Sequence, residues 1–359
     1  ALLHSVPGGT IEIWETDVDH TNAIAEPAEP GNLPFPRSSH AAIRLADGKV
    51  LVAGGESIEP VALSACHLYD PDKGTWQSTG PMRRPRSQLM LTMLPGGKVL
   101  VAGGKGLDYV PLADCELYDP ETGIWTPTDT MMEPRFGGTS ILLQNGKVLV
   151  LGGNNAIGPV NRCELYHPDS GTWTPAGALI SLDRLMSSVL LADGSVIVIN
   201  GGQGIQRVER YDPASGRWNA VSSTLPDRHG TSATLLASGE VLVAGGVRHS
   251  TCHLYDPLSG KWQVTSSFPR SRDRHTTTLL PDGKVLVAGG FEPPSTVNSC
   301  LLYDPATGTW DSATDIKVAR QQHTATLLEN GKVLLVGGRD EKGSPTKSVE
   351  VYDAEESER

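Results

Sequence analysis

Five arginines stand ten residues beyond a tryptophan: Arg86 after Trp76, Arg135 after Trp125, Arg228 after Trp218, Arg272 after Trp262 and Arg320 after Trp310. Arg37 opens the series, and one further member carries Asp183 at that place with Arg184 beside it. A ring of guanidinium groups would hold carboxylates or sulfated sugars through paired hydrogen bonds, because the planar fork meets two oxygens at once. The opposing expectation is that each arginine ties its own loop to a backbone carbonyl or an acidic neighbour, and the regularity favours it. Three residues further on stand His40, His275 and His323, where the other members have Leu89, Gly138, Met186 and Thr231. Imidazoles gathered at one side of a pocket would transfer protons or bind a divalent metal. Buried between packed sheets, they would only hydrogen-bond. No cofactor is predicted; a divalent metal on these three histidines is the one candidate kept.

The elements that position these residues repeat. Glycine pairs fall at 54–55, 103–104, 152–153, 201–202, 245–246, 289–290 and 337–338, which marks seven modules. Each pair ends a phrase such as "DGKVLVAGG", whose unbroken apolar run predicts a strand buried on both faces. A first strand such as "HTATLL" precedes it. Between them, Asp47-Gly48, Asn145-Gly146 and Asp282-Gly283 predict two-residue type I′ hairpins. A third strand such as "CHLYD", a "DPxxG" turn and a fourth strand opened by Trp complete the module. Seven modules of four antiparallel strands, with no helical period, predict an all-β, seven-bladed β-propeller.

The Gly pair, the Tyr and the Trp at intervals near 48 residues resemble kelch repeats over residues 37–353. The resemblance implies a scaffold similar to the central domain of galactose oxidase. That enzyme's copper-binding Tyr and His pattern and its Cys–Tyr crosslink find no place on this chain. Relatives include a sialic-acid epimerase and metal-dependent plant specifier proteins, so catalysis stays open beside binding.

The expected layout is a single propeller domain over 1–359. Residues 9–16 ("GTIEIWE" and its neighbour) supply the missing fourth strand of the last blade. Residues 17–36 form a Pro-rich insertion carrying His20, Glu26, Glu29 and Phe35, and 354–359 an acidic tail. Since the last blade adjoins the first, the three histidines fall on neighbouring blades.

One face of the ring carries uniform turns. The other carries loops that differ in length and chemistry after each Gly pair, and binding usually resides on such loops. Candidate ligand-binding residues there are Arg37, Arg86, Arg135, Arg228, His229, Arg272, Arg320, Tyr109, Asn154, Arg248 and Phe291. The expected function is a binding module presenting this face and an Arg/His-lined channel mouth to a protein or an anionic ligand. The alternative is an isomerase, lyase or hydrolase acting there on an anionic or sugar-like molecule, with metal assistance as a variant.

A formal net charge of −11 argues against nucleic acid as partner. No apolar run reaches the roughly 18 residues of a membrane span, and a monomer is expected. The cysteines, Cys66, Cys115, Cys163, Cys252 and Cys300, each precede a Tyr by three residues. Equal register places them in different blades, too far apart to pair, and unpaired thiols lean toward a reducing, cytoplasmic compartment. "DPDKG" at 70–74 lacks the acids of a calcium loop, and neither a phosphate-binding glycine motif nor a G-x-S-x-G elbow occurs.

Overall fold

The computed structural model describes residues 31–59, 61–180, 186–200, 205–226 and 229–354. Blade 2 shows the pattern: strands Met90–Met93, Val99–Ala102, Cys115–Asp119 and Ile124–Thr128 pair antiparallel in chain order. Six sheets have four such strands. Blade 7 has three among the described residues: Thr324–Leu327, Val333–Val336 and Val349–Tyr352. The expected closing strand at 9–16 and the insertion up to residue 30 lie outside the described residues, as does nearly all of the tail.

The first strands stand innermost, each beside the first strand of the next blade, with blade 1 against blade 7. Wherever their burial is described the second strands are wholly buried, Val50–Ala53 and Val99–Ala102 among them. Their company explains the unbroken apolar run. Leu51, Ala53 and Cys66 of blade 1 pack against Val99, Val101 and Tyr118 of blade 2, so the core lies between blades. Val50 and Val52 meet Leu334 and Val336 in the same way, which closes the ring. The recurring aromatics join this seam. Tyr118 sits opposite Trp125 with ring centroids 5.0 Å apart, and its hydroxyl meets Thr79 Oγ1 of blade 1 at 2.7 Å.

The hairpins differ from the type I′ expectation. Leu45 N–H donates to Lys49 O at 2.7 Å and Gly48 N–H to Leu45 O at 3.1 Å, so three residues form the loop. Only the last needs positive φ, and Gly48 alone has it, at +83°. Asp47 instead accepts the Lys49 N–H at 3.1 Å. This is a type I turn followed by a left-handed glycine, the three-residue hairpin.

The Gly pairs have a packing cause. A Cβ on Gly103, at φ +59°, would lie 2.4 Å from Arg135 O of the next blade and 3.0 Å from Met131 Cε. Gly103→Ala is therefore expected to lower stability by more than about 1 kcal/mol, read as a lower urea midpoint at unchanged slope.

Candidate functional site

Each described arginine of the series is buried and committed within the ring. Arg86 donates from Nη1 to Gly103 O and Asp114 O at 2.7 and 2.8 Å, and from Nη2 to Glu116 Oε1 at 2.7 Å. Glu116 also accepts the main-chain N–H of Arg83 at 2.8 Å. Arg135 repeats this with Gly152 O and Glu164, and Arg320 with Gly337 O and Glu350. Arg272 turns to Glu292 and Ser299, because Leu301 stands where blades 2, 3, 4 and 7 have Glu. Arg37 meets Gly54 O and donates to His67 Nδ1 at 2.9 Å. Their backbones reach the other way: Gly55 N–H donates to Arg86 O, and Gly338 N–H to Arg37 O. Each arginine thus spans one blade seam, and its fork faces protein. Arg228, Asp183 and Arg184 lie outside the described residues.

The histidines fill an equivalent seam. His40 Nε2 joins Thr324 Oγ1, His275 Nε2 joins Ser232 Oγ and His323 Nε2 joins Thr276 Oγ1, each at 2.9 Å and each reaching the preceding blade. Nδ1 is buried without a partner in all three, so a proton added there would find no acceptor. Burial, with nearby arginines second, pushes His40 and His275 down to about 3 and His323 well below its ordinary value. His67 falls to about 3 for the same two reasons. Neutral imidazoles of this kind neither donate nor remove protons near pH 7. No group of three or more metal-ligating side chains occurs among the described residues.

Two residues beyond each arginine the backbone turns left-handed at the channel mouth. The corner residues are Ser39, Gln88, Gly137, Gly230, Arg274 and Gln322, with φ between +49° and +68°. Four are not glycine, and such a conformation costs about 1–3 kcal/mol where it is held by its surroundings. They form a chain of inter-blade bonds: Gly137 N–H to Gln88 O, Gln88 N–H to Ser39 O, Ser39 N–H to Gln322 O, and Gln322 N–H to Arg274 O. Below lies a cavity of about 400 Å³ lined by blades 3 to 6. A larger one, about 590 Å³, sits on the opposite face around Pro95, Lys147 and His167. Similar clefts recur between blades 6 and 7 and between 7 and 1, so these follow from the turns of neighbouring blades.

On the variable face, Glu56 is buried and joins three blades. Its carboxylate meets Arg339 Nη2 at 3.0 Å, Ser87 Oγ at 2.9 Å and Lys105 Nζ at 3.7 Å. Lys105 Nζ also stands 4.0 Å from the centre of the Tyr109 ring. The loops of the same face carry exposed apolar side chains: Ile58 and Val61 from blade 1, Leu107, Tyr109 and Val110 from blade 2, and Ile157 from blade 3, which is 97% exposed. Tyr109 has φ +62°. Asn154 anchors its loop by backbone pairing with Phe136. Phe291 pairs with Asp273 and lies 6.0 Å beneath the Arg274 guanidinium, while Arg248 is exposed at φ +64°. His229 accepts the Val247 N–H at its carbonyl. Phe35 is exposed, its ring centroid 6.3 Å from that of His67 in an edge-on arrangement.

Sequence reasoning missed Glu56, Arg339, Arg274 and the glutamates of the third strands. The last left a signal: Glu116 and Glu164 are charged residues inside otherwise apolar "CELY" strands. The others sit in loops where nothing but the folded ring relates them.

Two models of the kelch motif match the chain, one over residues 271–317 and one over 94–132, 135–179 and 330–358. No curated protein sequence matches it. Among solved structures, a fungal alcohol oxidase of the AA5 family in complex with copper is similar, with a TM-score of 0.72 and 20% identity. The match covers 89% of this chain and 75% of that one, and at such identity it concerns the fold. The histidines found here do not suit copper: they sit in separate seams, each tied by Nε2 to a hydroxyl of the neighbouring blade.

Proposed function

Since the chain is a kelch-repeat β-propeller, we propose that it is a binding module whose partner, a protein, seats on the variable loops of blades 1 to 3. The observation that carries this reading is the run of exposed apolar side chains on three successive blades, Ile58 through Tyr109 to Ile157. Contiguous apolar surface with a polar base is what protein interfaces bury, and tyrosine is among their commonest anchors. The Glu56 node beneath ties the loops of blades 1 and 2 to each other and to blade 7, so little ordering cost falls on those two loops on binding. Against catalysis by the three histidines stands their neutral, buried state.

The test is a linear-peptide display library selected on the intact protein. Enriched peptides are then measured on a Tyr109→Ser/Ile157→Ser double variant. Leu258→Ser, on the opposite face and 99% exposed, is the control. A loss of tenfold or more on the double variant, with Leu258→Ser unchanged, is expected, since one interface anchor contributes about 1–2 kcal/mol. Peptides that bind the double variant as well as the parent would place recognition elsewhere.

A further inference from the structure

Of the six described corner residues at the channel mouth, one is charged. Ser39, Gln88 and Gln322 stand on blades 1, 2 and 7, glycines on blades 3 and 5, and Arg274 on blade 6. The 400 Å³ cavity lies on the side where Gly137 and Gly230 leave room, with Arg274 at its edge. Its volume is in the range of small-ligand sites. Thr139, Ser188 and Thr277 contribute hydroxyls to the wall. Thr277 Oγ1 accepts from Thr234 at 2.9 Å and keeps its own proton to donate, and Thr139 and Ser188 share one bond at 3.2 Å.

Unlike the buried arginines, Arg274 is about half exposed. Its Nη1 donates to Gln321 Oε1 at 2.8 Å, and its Nε lies 3.4 Å from Asp273 Oδ2, contacts that aim the group. Nη2 has no partner among the described residues. Phe291 supports the guanidinium from below. A guanidinium with a free donor beside a wall of hydroxyls matches a carboxylate that itself bears hydroxyl groups.

We propose that this cavity is a binding site for a small hydroxylated carboxylate of the sugar-acid type, with Arg274 taking the carboxylate and the Thr139, Ser188 and Thr277 hydroxyls taking the rest. The site is separate from the apolar loops of blades 1 to 3, so either assignment stands or falls alone. A free acid and an acidic side chain on a protein partner share this chemistry; the size of the cavity and its hydroxyl wall favour the free acid.

The corner geometry supplies a clean variant. Arg274→Gly removes the guanidinium at a backbone position where blades 3 and 5 already use glycine, so the fold is expected to persist. Gln322→Gly makes the same change one blade away and leaves the cavity intact. Isothermal titration of the full chain with D-glucuronate is expected to give saturable binding, at least tenfold weaker in Arg274→Gly and unchanged in Gln322→Gly. D-glucose and sulfate at equal concentration should bind at least tenfold more weakly than glucuronate. The assignment is overturned if glucuronate gives no saturable heat, if Arg274→Gly binds it as the parent does, or if glucose or sulfate binds equally well. Recognition only of an acidic peptide would overturn the free-acid assignment as well.

Discussion

Acidification from pH 7 to pH 5 is expected to remove several kcal/mol of stability, with four histidines as the main cause. His40, His275 and His67 are held at about 3 in the folded protein and His323 well below its ordinary value, whereas an unfolded histidine titrates near 6.5. Their pKa values are depressed on folding, so the unfolded chain binds more protons below about pH 6.5. The stability they contribute is therefore complete above that pH and is lost as pH falls toward 3. The three held at about 3 each lose about 2 kcal/mol between pH 7 and pH 5, and His323 loses stability in the same direction. Urea titrations at the two pH values measure it. In a His40→Gln/His275→Gln/His323→Gln variant, each amide would be placed near the hydroxyl that Nε2 meets, without a titrating group. That variant should start less stable at pH 7 but lose much less on acidification. If parent and variant lose the same amount, the seams do not hold neutral imidazoles, and a proton-transfer role returns to consideration.

The second large effect concerns the pair Arg135 and Glu164. Glu164 accepts from Arg135 Nη2 at 2.8 Å and from the main-chain N–H groups of Met132 and Glu133 at 2.6 and 3.2 Å. Both side chains are essentially inaccessible to solvent. Removing either partner leaves a buried charge uncompensated, and Glu164→Ala also strands two backbone donors. Arg135→Ala and Glu164→Ala are each expected to cost about 3–5 kcal/mol. The double variant should cost well below the sum, because the second truncation removes a charge that the first had stranded. Denaturant unfolding of all four proteins gives the coupling. Additive costs would mean that the two do not act as a pair, and that Arg135 answers to something else.

The seven-fold period was plain, because the buried second strands repeat one phrase and the glycine pairs end each copy. At Asp47-Gly48 the hairpin departs from the type I′ expectation, since the same two letters serve a two-residue or a three-residue turn. Which one forms is decided by whether Leu45 still pairs with Lys49. The arginine ring was visible as a spacing, but its partners were not. Glu116 lies 30 residues beyond Arg86, and only the return of the third strand brings them together. Histidine spacing suggested a cluster at the mouth; in the ring, each imidazole turns into a seam and meets the neighbouring blade. Arg274 leaves no signal in the sequence, because its exposure depends on a left-handed corner that no local pattern announces. What varies at the mouth became legible only after what repeats had been assigned to the scaffold.

In the proposed assignment a partner seats on the variable loops, while the regular arginines and histidines hold the ring. Hydrogen–deuterium exchange of the protein with and without a display-selected peptide tests it most directly. Protection is predicted in the loops at 56–63, 105–112 and 154–160, with no change in the turns at 70–74 and 256–260. Protection confined to those turns, or absent from all three loops while the peptide is bound, would contradict it.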